Sequence, residues 1–386
     1  MRIAIDYTPA VRQRGGIGRF VRSLVDALVE IDHKNEYVLF YAHPRGEEPD
    51  SPFVRRPNVV ERPLGIDEQN LYRLWFRFGI PVPIDLFTGR VDVFHFPDFV
   101  LPPMRSGGSV LTIHDLSFLL HPEYADEGLR QFLERTVPMS ANRADFVTVD
   151  SANTLNEVVC LLDVPPERAA VVYPAVGDEF RPVEDQEILG SIRHKYGLHY
   201  PFILNVGVIE PRKNLVRLLD AYARLRNELD LPHRLCIAGG LGWKYEDVFS
   251  KAEELDLGDA VIFLGFVPDE DLVGLYNLAD LMVYPSVYEG FGIPPLEAMA
   301  CGTPVVTSNA SSLPEVVGDA GLMTSPNDIE ALSDAMAQVL GNRALHDDLA
   351  QRGRERAKLF TWRASAEKLL SIYERVAAAK TVEERE

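Results

Sequence analysis

The 386-residue chain has little cysteine: its three residues, Cys160, Cys236 and Cys301, lie far apart, each in a mostly apolar stretch. Three dispersed thiols exclude a disulfide framework and a cysteine metal cage, and they read as reduced core residues. No apolar run approaches the roughly 18 residues that a membrane-spanning helix needs. Met1 leads within one residue into a strand pattern, which leaves no room for a secretory signal. The expected location is therefore cytoplasmic. Basic residues are also scarce, with 39 Lys and Arg against 58 Asp and Glu and a formal net charge of −19. A phosphate backbone needs a basic footprint, so a general nucleic-acid binder is excluded. What remains is an ordinary globular composition, 46% hydrophobic and 25% charged, in a chain long enough for two cores.

Short apolar runs alternate with helical patterns throughout, which predicts parallel sheets covered by helices. In the first half the expected strands are Arg2–Asp6, 37–41, 91–95, 110–113, Phe146–Val149 and 170–172, with helices over 18–30 and 151–161. Residues 173–182 have no periodicity and two prolines, and read as an interdomain linker. A second series runs through Phe202–Val206, Arg234–Ala238, 261–264, Leu281–Tyr284 and 304–306, followed by helices over 328–340, 343–358 and 362–379. Two doubly wound domains follow, with ligands expected beyond the carboxyl ends of the strands.

The richest stretch is Tyr288-Glu289-Gly290-Phe291-Gly292-Ile293-Pro294-Pro295-Leu296-Glu297-Ala298-Met299-Ala300-Cys301-Gly302. Leu281–Tyr284 before it reads as a buried strand closed by Pro285. Pro294-Pro295 suits a first helical turn and Gly302 the residue past its end. The loop then brings backbone N–H groups of Gly290, Phe291, Gly292 and Ile293, with a positive dipole end, to one point suited to an anion. Glu297, about one turn in, is placed to accept two hydroxyls. Phosphate and polyol together describe a nucleotide sugar. The plainer reading is an acidic loop before a helix with one dipole-complementing glutamate.

Further motifs also follow strands. Gly207 permits close backbone approach, and Arg212-Lys213 sets a forked guanidinium and an ammonium where a departing pyrophosphate gains charge. Gly15-Gly16-Ile17-Gly18 opens a helix, but Val21 stands where a dinucleotide fingerprint needs its third glycine, which disfavours nicotinamide binding. Gly16 and Gly18 still suit contact with a phosphate or sugar. His114-Asp115 ends a strand, where an imidazole can meet a sugar hydroxyl or simply close the strand. Asp269-Glu270-Asp271 reads as a helix N-cap with acidic first-turn partners, not as a metal triplet. Residues 70–78, apolar and basic together near Arg55, Arg56 and Arg62, read as a core helix with outward arginines or as a surface for anionic lipid.

The residues from Glu289 to Ala300, with Asn205-Val206-Gly207-Val208-Ile209-Glu210-Pro211-Arg212-Lys213-Asn214, resemble the donor motifs of the family 4 retaining glycosyltransferases. The resemblance covers nearly the whole chain. It implies the GT-B fold, an α/β arrangement of two Rossmann-like domains facing across a cleft. On that pattern residues 1–180 are the acceptor-side domain, joined by a crossover helix at about 363–386, and 181–362 bind the donor. It assigns Arg212 and Lys213 to the donor diphosphate, Glu297 to the ribose, Glu289 to the transferred sugar or its phosphates, and His114 to the donor sugar. The backbone near Val267 is placed at the base, and the loop of Gly16 and Gly18 near phosphates and acceptor. It also implies retention by front-face displacement, with no metal and no cofactor beyond the donor itself.

Gly-Gly-Ile-Gly-Arg-Phe from Gly15, 93–103 and the run from His114 to Tyr124 are similar to bacterial mannosyltransferases of O-antigen and exopolysaccharide assembly. That favours GDP-mannose and a saccharide or lipid-linked saccharide acceptor, with peripheral membrane association as a corollary. Three alternatives stay open: a UDP- or dTDP-sugar donor, a nucleotide-sugar epimerase or hydrolase, and a non-catalytic nucleotide-sugar-binding protein.

Overall fold

The computed structural model describes residues 1–13, 15–44, 56–229 and 231–383; Arg55 lies outside them. The chain divides into two compact units, one of Met1–Leu120, Glu127–Pro174 and Thr361–Glu386, the other of His121–Asp126 and Ala175–Phe360. The boundary at Pro174 and Ala175 falls within the expected linker, 173–182, and residues on each side of it are held in their own unit. The Tyr173 carbonyl accepts the Ser365 hydroxyl in the first unit. Phe180 packs against Tyr276 at 6.1 Å in the second.

In the first unit the described strands are β1 (Arg2–Asp6), β2 (Glu36–Tyr41), β3 (Val59–Pro63), β4 (Val93–Phe96), β5 (Gly108–Ile113), β6 (Phe146–Val149) and β7 (Ala169–Val171). They form a parallel sheet ordered β3-β2-β1-β4-β5-β6-β7. Side chains alternate across a strand, so Ile3 and Ile5 join the core on one face and Ala4 the core on the other. The first face is covered by the helix Gly16–Ile31 and by Leu369, Ile372, Tyr373 and Val376 of the final helix, Trp362–Glu383. Gly108 permits that close docking, since a Cβ there would sit 2.2 Å from Val376 Cγ1. Val137 and Ala141 of the helix Glu127–Arg143 help cover the other face.

The second unit holds β8 (Phe202–Val206), β9 (Arg234–Ala238), β10 (Val261–Gly265), β11 (Leu281–Tyr284), β12 (Val305–Ser308) and β13 (Leu322–Thr324) among the described residues. They are parallel, in the order β10-β9-β8-β11-β12-β13. In each sheet the order reverses between two central strands, β1 and β4 or β8 and β11. Such a reversal opens a crevice at the carboxyl ends where ligands bind. A short helix, Thr8–Arg12, separates β1 from Gly15, which caps the helix Gly16–Ile31, so Gly16 and Gly18 lie in the first turn of that helix. The Arg212-Lys213 and Glu289 loops follow β8 and β11.

One sequence reading changes and another holds. Pro268, not Asp269, is the N-cap of the helix Asp269–Leu278, and all three acids lie in its first turn. There Asp271 accepts Lys195 Nζ and Tyr196 OH at 2.5 Å each. Residues 70–78 follow the core-helix reading: the helix Glu68–Tyr72 continues as a π-turn over Arg73–Arg77, with both arginines exposed. Leu71 and Trp75 enter the core, and the exposed apolar groups are Phe78 (66%), Ile80 and Leu86 beyond them.

Candidate active site

The loop after β8 leaves the sheet through Gly207, whose φ of +152° is a conformation L side chains rarely adopt. A Cβ at neighbouring Gly239 would fall 1.8 Å from the Gly207 carbonyl oxygen, so both glycines serve one close crossing. Pro211–Lys213 form a single 3-10 turn that ends at Asn214 in the left-handed conformation. The Asn214 amide donates to the Pro285 and Pro326 carbonyls at 3.0 and 2.7 Å, pinning this loop to the one after β11.

That juxtaposition brings Arg212, Lys213 and Glu289 together. Arg212 Nη1 donates to Glu289 Oε2 at 2.7 Å and to the Tyr288 carbonyl at 2.9 Å. Its Nη2 reaches Glu210 Oε1 at 2.7 Å. Lys213 Nζ donates to Glu289 Oε1 at 2.7 Å and to the Tyr284 hydroxyl at 2.6 Å. Lys213 is 8% exposed and Glu289 6%. Burial alone would raise the Glu289 carboxyl, but Arg212 and Lys213 outweigh it and hold the group down at about 2. Burial in turn lowers the Lys213 ammonium, against the pull of Glu289. Two carboxylates and two cations thus form a preorganised cluster, fixed before any ligand arrives.

The Glu289 loop is held from β12 as well. The Glu289 N–H donates to Ser311 Oγ at 2.8 Å, and Ser312 Oγ donates to the Glu289 and Phe291 carbonyls. Gly292, at φ +110°, caps the helix Ile293–Cys301, and a Cβ there would meet Leu313 Cδ2 at 2.7 Å. Pro294 and Pro295 carry no N–H, and the Glu289 N–H is donated to Ser311, so the loop amides that bear on an anion here are those of Gly290, Phe291, Gly292 and Ile293. Glu297, 2% exposed on that helix, accepts the Tyr276 hydroxyl at 2.9 Å through Oε2. Val267 follows β10 and is buried.

Gly16, Gly18 and His114 belong to the first unit. Gly16 begins its helix at φ +48°, while a Cβ at Gly18 would run into the Gln13 carbonyl oxygen at 2.0 Å. Gly18 is therefore a packing glycine. His114 is buried between the Phe20 and Phe99 rings, with Nδ1 2.8 Å from Asp150 Oδ2 and Nε2 2.8 Å from the Pro97 carbonyl oxygen. Burial lowers the imidazole, but Asp150 outweighs that and lifts it to about 9. Both N–H groups of the imidazolium are then committed, and a sugar hydroxyl reaches this ring only by displacing Pro97. Asp115 accepts Ser117 N–H and Oγ, which orients the loop.

Sequence reasoning did not single out Glu210, Tyr284, Ser311, Ser312, Tyr276 or Asp150. Each acts through a partner at least 20 residues away or, for Glu210, through a turn that only the fold reveals. The lone signal was their position just inside or just after apolar runs.

Comparison with known proteins places these loops in context. A model for group 1 glycosyl transferases matches residues 191–356, and one for glycosyltransferase family 4 matches residues 14–180. The chain is 37% identical to the O-antigen chain mannosyltransferase B of Escherichia coli, over 73% of this chain and 74% of that one. It is 35% identical to the serotype-specific mannosyltransferase WbdA of Escherichia coli over 67% of this chain, spanning 32% of that longer protein. Among solved structures, sucrose-phosphate synthase from Thermosynechococcus elongatus superposes with a TM-score of 0.76 at 24% identity, over 98% of this chain and 100% of that one.

Proposed function

We propose that this chain, which belongs to the family 4 glycosyltransferases and has their GT-B fold, moves mannose from GDP-mannose to a saccharide or lipid-linked saccharide acceptor with retention and without metal. The buried Arg212–Glu289–Lys213 cluster at the strand reversal of the second sheet carries this reading. The mannosyltransferase relatives support the choice of sugar.

In this mechanism the nucleoside diphosphate gains negative charge as the glycosidic bond lengthens. Arg212 and Lys213 face that charge as a fixed guanidinium and ammonium, so no reorganisation is needed at the moment of transfer. Glu297 holds the ribose hydroxyls, and the Gly292 and Ile293 amides take phosphate or sugar oxygens. Glu289 orients the sugar. It is a poor nucleophile, because a carboxylate held near 2 by two cations gives up little electron density. That favours front-face displacement, in which the acceptor oxygen attacks on the side the diphosphate leaves. The departing phosphate oxygen then takes the acceptor proton.

Thermal denaturation with GDP, UDP, dTDP and ADP tests the donor class without knowledge of the acceptor. GDP at a hundred times its Kd is expected to stabilise the protein by about 2.7 kcal/mol. Glu297→Ala should abolish the shift. A shift with UDP or dTDP instead replaces mannose as the sugar while keeping the site, and no shift with any nucleotide removes the donor site.

A lipid-linked acceptor is supported by Phe78, Ile80 and Leu86, exposed on the first unit close in sequence to Arg73 and Arg77. Apolar groups beside cations suit an anionic bilayer surface. Co-sedimentation with phosphatidylglycerol vesicles should fall at least fivefold in a Phe78→Ser/Arg77→Glu variant. Equal binding by that variant and the parent discards this surface.

A further inference from the structure

Between the short helix Ser117–Leu120 and the helix Glu127–Arg143, both in the first unit, the segment His121–Asp126 groups with the second. It forms a strap with one 3-10 turn, Pro122–Tyr124, and its seat is built from loops that flank the cation cluster. On one side Trp243 Nε1 donates to the Tyr124 carbonyl, and Lys244 Nζ donates to the Glu123 carbonyl at 2.9 Å. On the other the His121 ring faces the Tyr288 ring at 5.4 Å while stacking on Tyr124 at 5.7 Å.

Both seats connect to Arg212. Tyr288 is almost fully buried, its carbonyl accepts Arg212 Nη1 at 2.9 Å, and the next residue is Glu289. The Trp243-Lys244 turn is pressed onto the loop that carries Arg212: a Cβ at Gly242 would lie 2.8 Å from Val208 Cγ1 and 2.9 Å from the Ile209 carbonyl oxygen. The Gly242 and Ile209 backbones are hydrogen-bonded at 3.0 Å. Lys244 itself sits at φ +54°, a conformation that a non-glycine side chain holds only when its surroundings enforce it. These contacts are more than a solvent loop needs.

We propose that the strap His121–Asp126 is a positioning element for the diphosphate clamp, with His121 fixing Tyr288 and through its carbonyl the Arg212 guanidinium. This rests on the reading of Arg212 as the group that meets the leaving diphosphate. His121 Nδ1 lies 3.5 Å from Glu123 Oε1, a contact within the strap itself, while its ring meets Tyr288, so the effect on Tyr288 rests on aromatic packing. Because Arg212 acts on charge that matures in the transition state, loosening the strap slows turnover and leaves donor binding nearly unchanged.

The test is release of GDP and mannose from GDP-mannose by the full chain, with water as the acceptor, and with kcat and KM measured for His121→Ala, His121→Phe, Arg212→Ala and the His121→Ala/Arg212→Ala pair. His121→Ala should lower kcat about tenfold with KM within twofold, and His121→Phe should restore it. In the pair, the His121 change should add less than twofold to the Arg212 defect, because one acts through the other. Normal turnover in His121→Ala, a multiplicative double mutant, or failure of phenylalanine to rescue overturns the strap. A parent protein that gives neither a GDP melting shift nor GDP release overturns the donor reading instead, which keeps the two failures apart. Melting temperatures of all four variants check that the folded population is unchanged.

Discussion

Arg212→Ala should reduce kcat for GDP-mannose turnover by about 10²–10³, the usual cost of removing one preorganised donor from a developing anion. The donor KM should move only a few-fold. In the resting protein Arg212 donates to Glu210, to the Tyr288 carbonyl and to Glu289, and these contacts fix its orientation. The guanidinium therefore contributes most where charge matures, not where the ground state binds. Lys213 remains on Glu289 in the variant, so the loop after β11 keeps one cation and the fold survives. Arg212→Lys should recover little, because one ammonium cannot span Glu210, Tyr288 and Glu289 with the geometry of a planar fork. Steady-state GDP release decides it. Turnover within threefold of the parent removes Arg212 from the clamp.

Glu289→Gln should destabilise the protein by about 3–5 kcal/mol in urea unfolding at pH 7, because it leaves a buried ammonium and a half-buried guanidinium without their shared counter-ion. The Glu289→Gln/Lys213→Met pair should regain much of that loss while staying inactive. Stability and activity part company there, which distinguishes a charge-balance effect from simple misfolding. Its pH dependence has a definite sign. The ordinary value of this carboxyl is 4.5 and the folded value is about 2. A lowered folded value gives stabilisation that is present above 4.5 and lost as pH falls through 2. The amount is on the order of 3 kcal/mol. Parent and variant curves should converge over that acid window. His114 works oppositely: its folded value of about 9 lies above the ordinary 6.5, so its contribution is present below 6.5 and lost as pH rises through 9. That alkaline limb should be the same in both proteins. Curves that stay parallel from pH 5 to pH 2 would show that Glu289 is not held as described.

The sequence by itself determined the fold class and the principal motifs. Apolar runs with strand period, separated by helical patterns, demand parallel sheets covered on both faces. Central strands such as Phe202–Val206 and Leu281–Tyr284 are legible because every residue in them is buried. The three-residue edge strand β13 and the partly polar β3 are not, since half-buried edges carry no clear period. The helix Glu127–Arg143 hides behind an internal proline, Pro138, whose penalty the surrounding core absorbs. Glu289, Glu297, Arg212 and Lys213 were legible as residue types suited to a nucleotide sugar.

Their state was decided only by tertiary structure. That Glu289 is an ion-paired carboxylate near 2, and not a free acid or nucleophile, depends on Arg212 and Lys213, which lie 77 and 76 residues away along the chain. That His114 is an imidazolium with both nitrogens committed depends on Asp150 and Pro97. Seating of the His121 strap in the second unit depends on Trp243 and Tyr288. Local pattern follows from near-neighbour sterics and solvation, which a sequence window contains. Protonation, charge pairing and strap docking follow from which distant groups share a low-dielectric space, and only the closed sheets, with β8 beside β11, bring those groups together.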